Sequence, residues 1–239
     1  MLQRIEKDGH TKFFYKDELT LDIHFPELDI SQLQRSFDFV PYDNYYDKGS
    51  RYRTTSRVEI TEEGYKLLPK VALYQPTYVN DIDSYGGIDR IYADVPISLL
   101  QTEAFDTMIK CWLEQIPFEV KSFSVHQIRT TDSGNPTPEG RHKDGTDWTG
   151  VYIVRRHNIE DESGKTKYWI KDEEVVSEVV PEGGLISHCD RYFLHCATPI
   201  EKKHPDEPSF RDVFVLTTPE HGLNREQEEY RAKVLEVDL

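Results

Sequence analysis

Between residues 119 and 217 the chain is cut into short extended runs, and this punctuation limits the fold more than any other feature. The runs are Val120–Thr130, Trp148–Arg155, Lys167–Ile170, Glu174–Val180, Gly184–Ser187, Tyr192–Thr198 and Arg211–Thr217, rich in β-branched and aromatic residues. Ser133-Gly134-Asn135-Pro136, Asp161 to Gly164 and Pro181-Glu182-Gly183-Gly184 lie between them, and such residues turn a chain. A short strand through His142 brings the count to roughly eight, that of a double-sheet jelly roll. No helices alternate with these runs, as a parallel sheet would require.

Before residue 119 the pattern is mixed. Lys12 to Tyr15 and Leu19 to Ile23 read as short strands, and residues 29 to 37 as a short helix begun by Asp29 or Ser31. Phe105, Met108, Ile109, Trp112, Leu113 and Ile116 recur at three and four residues, which predicts a helix over 98–116, ended by Pro117 and packed on a sheet. Residues 75 to 95 read as an irregular connection, and Leu223 to Val237 as a charged terminal helix. The expected organisation is a 1–118 extension packing on the core and contributing to the substrate pocket, a 119–219 catalytic core and a 220–239 helical tail, compact as a single domain.

The formal charge is -15, from 29 Lys plus Arg against 44 Asp plus Glu. A nucleic acid or an anionic membrane needs a basic footprint, so neither is expected as a partner. The three cysteines, Cys111, Cys189 and Cys196, show no paired spacing for a disulfide framework or a zinc ribbon. No signal-peptide core or membrane-length apolar run is present, and a reducing cytoplasm is the expected location.

The chemistry gathers around Gly140-Arg141-His142-Lys143-Asp144-Gly145. Residues two apart on an extended segment point to the same side, so His142 and Asp144 can reach one metal ion. His-x-Asp occurs three times, at His142/Asp144, His188/Asp190 and His204/Asp206, so at least two are expected to be accidental. His204-Pro205-Asp206 reads as a solvated loop and His188-Cys189-Asp190 as a turn. Only the first pair is followed at a distance by a histidine inside an apolar run, His195, and then by an arginine opening another, Arg211. Two histidines and one carboxylate leave open positions on iron(II) for substrates and oxygen.

At these residues the sequence resembles the bacterial 2-oxoglutarate/iron(II) dioxygenases that include the free L-isoleucine hydroxylases. The resemblance is carried by His126-Gln127-Ile128-Arg129, His142-Lys143-Asp144-Gly145, Arg155-Arg156-His157-Asn158, His195-Cys196-Ala197-Thr198-Pro199 and Phe210-Arg211-Asp212-Val213. It implies a mainly β chain with flanking helices around a double-stranded β-helix, the cupin-like jelly roll. It further implies iron(II) held by His142, Asp144 and His195, 2-oxoglutarate held by Arg211, oxygen as the second cosubstrate, and a small free L-amino acid as substrate. The chain departs from the family at Glu162-Ser163-Gly164-Lys165-Thr166, where members carry a glycine pair before the threonine.

A free amino acid needs a cation for its carboxylate. Arg129, on one strand face with Gln127, and Arg57 or Arg53 are the candidates. Asp147 or an acid of the 43–47 loop suits the ammonium, and Tyr152 and Trp148 suit the wall. Tyr42, Tyr45, Tyr46 and Tyr52 crowd near Arg51, Arg53 and Arg57, either as an aromatic loop packed on the core or as a lid over a polar substrate. Three activities share these features: hydroxylation with decarboxylation of 2-oxoglutarate to succinate, desaturation or cyclisation of a larger metabolite, and non-oxidative metal binding on the same barrel. Arg211 separates the last from the others, because a non-oxidative module has no need of a buried cation facing the metal. A homodimer is left open.

Overall fold

The computed structural model describes residues 2–46, 50–77, 80, 82–83, 85–132 and 134–220. In chain order its strands are β1 (Gln3–Lys7), β2 (His10–Tyr15), β3 (Glu18–His24), β4 (Arg51–Thr61), β5 (Gly64–Leu67), β6 (Leu73–Tyr74), β7 (Asp89–Arg90), β8 (Ser122–Thr131), β9 (Trp148–His157), β10 (Thr166–Ile170), β11 (Glu173–Glu178), β12 (Leu185–Cys189), β13 (Leu194–Ala197) and β14 (Phe210–Thr218). The helices are α1 (Ile30–Ser36), α2 (Ile97–Leu100) and α3 (Glu103–Leu113). The terminal helix expected at 223–237 lies outside the described residues.

Among the described residues, nine strands form one sheet in the order β1-β2-β3-β12-β9-β14-β8-β4-β5, and β11-β10-β13 form a second. The neighbouring strands in both run antiparallel. This is the jelly roll that the punctuation of the sequence predicts, with flanking helices. Strands from before residue 119 extend the large sheet at both ends, through β3 pairing with β12 and β4 pairing with β8. The strand expected through His142 shortens to one bridge, between His142 and His195.

Two cores sandwich the large sheet. On one face, Phe105, Met108, Ile109 and Trp112 of α3 pack with Phe123, Val125, Tyr152, Phe214 and Leu216 of β8, β9 and β14. On the other, Ile128, Ile153 and Val213 meet Tyr168 and Val176 of the small sheet. Alternation along each strand assigns neighbouring residues to opposite cores. The helix comes close: a Cβ at Gly150 would lie 2.5 Å from Trp112 Cδ1, so only a glycine fits there.

The single helix expected over 98–116 is divided. Thr102 is extended, at φ -81° and ψ 147°, and its Oγ1 accepts the Phe105 N–H, so it caps α3 and ends the preceding turn. Satisfying that amide with a side chain replaces the continuous backbone ladder. The apolar stripe is kept, because Leu99 and Leu100 of α2 join the same core. No helix among the described residues is long and apolar enough to cross a membrane.

Candidate active site

His142 and His195 come together through the backbone before their rings are considered. His142 N donates to His195 O at 3.1 Å, and His195 N to His142 O at 2.9 Å. This pair of bonds fixes the 140–145 loop against β13 and sets the rings 4.6 Å apart. His142 Nδ1 lies 2.9 Å from Gly140 O, an acceptor only, so Nδ1 carries a hydrogen and Nε2 is the nitrogen turned to the neighbouring acids. That Nε2 is 3.6 Å from Asp144 Oδ1, and His195 Nε2 is 3.5 Å from Asp144 Oδ2. Ligand atoms of the three side chains all lie within 4.8 Å of one another, a set fit to share one ion.

Asp144 is held by a second carboxylate. Asp190, fully buried, accepts the backbone N–H of Asp144 at 3.0 Å, of Gly145 at 2.9 Å and of Thr146 at 3.2 Å. Thr149 Oγ1 donates to Asp144 Oδ2 at 3.1 Å. The expectation that His188-Cys189-Asp190 is an accidental turn is therefore corrected. His188 lies on β12, fully buried, with its ring 4.7 Å from that of His195, and Asp190 shapes the loop that presents Asp144. The third pattern, at His204, is exposed as expected of a solvated loop.

The electrostatics follow from burial and proximity. Burial opposes charge on His142, yet Glu139, 3.5 Å from its Nε2, and Asp144 outweigh it and push the imidazolium up to about 10. Burial likewise disfavours the Asp144 carboxylate, but bonds and charges from His142 and His195 hold it well below the usual range. Asp190 rises to about 6 through burial and the charge of Asp144. The surplus of negative charge that draws a proton to His142 draws a divalent cation equally.

Arg211 lines the same cavity from β14, with Val213, Val215 and the Val151 of β9 beside it. It is only 4% exposed and has no ion pair among the described residues, and its Nε has no hydrogen-bond partner. Burial, followed by the nearby Arg156, lowers its pKa to about 10. A buried guanidinium without an acid calls for an anion, which it would bind strongly beside the apolar valines.

Of the residues expected to touch substrate, Arg53 alone lines this cavity among the described residues. Its Nη2 is 3.1 Å from His126 Nδ1 and its guanidinium lies over the Tyr92 ring. The others lie outside its lining. Pairing of Val215 with His126 and Val213 with Ile128 turns His126, Ile128 and Thr130 to the cavity, so Gln127 and Arg129 face the helices. Gln127 Nε2 donates to Ser36 Oγ, and Arg129 grips Asp212 with two bonds of 2.7 and 2.8 Å. Tyr152 sits in the helix-side core, as does Trp148, whose Nε1 donates to Ser187 Oγ. Arg57 pairs with Glu220 at 3.2 Å, and Asp147 with Arg191 at 3.8 Å.

Of the 43–47 acids, Asp43 is fully buried under the Tyr85 hydroxyl, 2.6 Å away, and Asp47 lies outside the described residues. The Glu162–Thr166 turn lies beside Arg211: a Cβ at Gly164 would fall 3.7 Å from Arg211 Cδ. The cavity is also lined by Glu139 and Tyr168, which the sequence does not single out, by His126, quoted above only within a motif, and by Arg51, quoted above only in the tyrosine and arginine stretch. Arg51 was in plain view, one alternation before Arg53 on β4.

The family model described as 2OG-Fe dioxygenase matches residues 34–217. The chain belongs to this family, whose chemistry uses iron(II), 2-oxoglutarate and oxygen. No curated protein matches it. Among solved structures, the fold is similar to a bsmA homolog from Methylobium petroleophilum PM1, with a TM-score of 0.68 and 18% identity over 85% of this chain and 91% of that one. It is also similar to IDO from Bacillus thuringiensis, with a TM-score of 0.60 and 15% identity over 79% of this chain and 81% of that one. A third is the Fe(II)/α-ketoglutarate-dependent dioxygenase TqaL, with a TM-score of 0.54 and 15% identity over 79% and 73%. At such identities the likeness speaks to the fold.

Proposed function

We propose that this oxygenase hydroxylates a small free L-amino acid or a similar metabolite. The reading assigns iron(II) to His142, Asp144 and His195 and the distal carboxylate of 2-oxoglutarate to Arg211. The observation that carries it is the buried, acid-free Arg211 opening into the cavity that the donor set also lines. A planar guanidinium meets a carboxylate through two parallel bonds, and the valines around it exclude competing water. When bound, iron with its cosubstrates supplies the oxidation: 2-oxoglutarate becomes succinate and carbon dioxide, and a C–H bond of the substrate is oxidised.

What the chain itself does is bind and orient. Arg51 and Arg53 are both buried in the cavity wall and suit a substrate carboxylate, while Glu139 beside His142 suits an ammonium. A small zwitterion meets both charges, whereas a long apolar substrate meets neither. The reading also sets the enzyme in a reducing cytoplasm, where iron stays ferrous and Cys111, Cys189 and Cys196 stay free.

The test is succinate formation from 2-oxoglutarate with ferrous iron, ascorbate and air across a panel of free L-amino acids, with product masses recorded. Succinate coupled to one amino acid heavier by a single oxygen atom is the expected result. A product lighter by two hydrogens replaces hydroxylation with desaturation or cyclisation. Silence across the panel, with iron and 2-oxoglutarate bound, overturns the amino-acid assignment.

A further inference from the structure

The large sheet carries another cluster of metal-ligating side chains, on strands that contribute no residue to the active-site cavity. His10 of β2 and Asp22 and His24 of β3 bring one ligand atom each within 4.8 Å of one another. Both imidazoles turn Nδ1 toward the same oxygen: His10 Nδ1 is 2.8 Å and His24 Nδ1 3.4 Å from Asp22 Oδ2. The rings stack with centroids 4.7 Å apart and planes 19° from parallel.

The cluster is separate from the cavity. Asp22 lies opposite Ser187 and His24 opposite Leu185 of β12, the residues of that strand that face the helix side. Leu21 and Ile23 turn to the other core. A metal here would have the sheet between it and the His142 site.

Two atoms of the cluster lack the partners that burial demands. Among the described residues, the fully buried Asp22 has no hydrogen bond to Oδ1, and His24, 6% exposed, has none at Nδ1. Lys12 lies directly across the strand pair from Asp22 but forms no ion pair with it among the described residues. A buried carboxylate with one oxygen unpartnered between two imidazoles is costly, and a divalent cation among the three groups removes the cost by engaging the vacant lone pairs. The His10 side chain is 28% exposed, so the cluster opens to solvent on one side, where a water can complete the coordination.

We propose that His10, Asp22 and His24 form a second metal site for a divalent first-row ion of the zinc class, held by two imidazole nitrogens and one carboxylate oxygen. Nitrogen and carboxylate donors in a three-ligand set suit zinc and cobalt, and the ion ties β2 to β3 at the end of the sheet.

The test titrates cobalt(II) alone into metal-stripped protein carrying Asp144→Ala, followed by visible absorption and by melting temperature. One equivalent should still bind, raising the melting temperature. Adding His10→Ala should abolish both the absorption and the rise, with the far-ultraviolet circular dichroism unchanged. Asp22→Asn, which keeps the side-chain shape and removes the charge, should do the same if the histidine variant proves unstable. Absence of binding in the Asp144→Ala protein, or an equivalent retained in the doubly substituted one, overturns the proposal.

Discussion

The two faces of the large sheet are built from the same strands and treat charge in opposite ways. On the helix face, Arg129 and Asp212 neutralise one another through two short bonds, and Gln127 both accepts from Thr54 and donates to Ser36. On the cavity face, one residue along, Arg211 is more deeply buried than Arg129 and has no acid among the described residues. A fold that can pair one buried arginine within a single strand step can pair another. On the proposed reading the unpaired one marks the face where a ligand would supply the missing charge, and the proposed site at His10, Asp22 and His24 extends the same logic to the helix side of the sheet.

Substitutions on each face should therefore separate activity from stability. The largest effect is expected from His142→Ala or Asp144→Ala, which should abolish succinate formation while leaving the unfolding midpoint near that of the parent. An active variant of either kind would move the metal elsewhere. On the opposite face, Trp112→Ala should cost about 3–5 kcal/mol in denaturant unfolding, with turnover per folded molecule unchanged, because it empties the contact between α3 and β9. A fall in turnover larger than the folded fraction explains would couple the two faces.

Arg211→Ala should raise the KM for 2-oxoglutarate about 10- to 100-fold, the worth of a charge-assisted bond, with a smaller change for the amino acid. An unchanged KM would remove Arg211 from the cosubstrate. The smallest effect should come from Tyr152→Phe. Its hydroxyl is buried without a partner among the described residues, so its removal should cost no stability and substrate KM should not move. A raised KM would bring Tyr152 to the pocket and blur the distinction between the faces.

Strand parity explains what could be read in advance. On β14, valines alternate with Arg211, so the face carrying the arginine declared itself as the apolar cavity wall. On β8, His126-Gln127-Ile128-Arg129 has polar residues on both parities because both faces are buried and both use polar groups. Alternation cannot choose between them; the pairing of His126 with Val215 does. Asp190 was missed for a different reason. Its work is to accept backbone hydrogens from a loop far away in the chain, and a lone acid after a strand carries no local sign of that. The division between α2 and α3 was visible in Thr102, a residue suited to capping, but the apolar period runs straight across it.

The contact between Gly150 and Trp112 has a consequence for sequences descended from the same ancestor. An indole pressed against a bare backbone makes the two positions one unit of inheritance: a side chain gained at 150 has nowhere to go until 112 becomes smaller. Neither change is tolerable first unless an intermediate accepts a void, since a smaller residue at 112 leaves space that a later side chain at 150 can fill. Relatives should thus divide into two groups, glycine with a large ring or a side chain with a small residue, and the order of substitution along each branch should run from the helix to the strand.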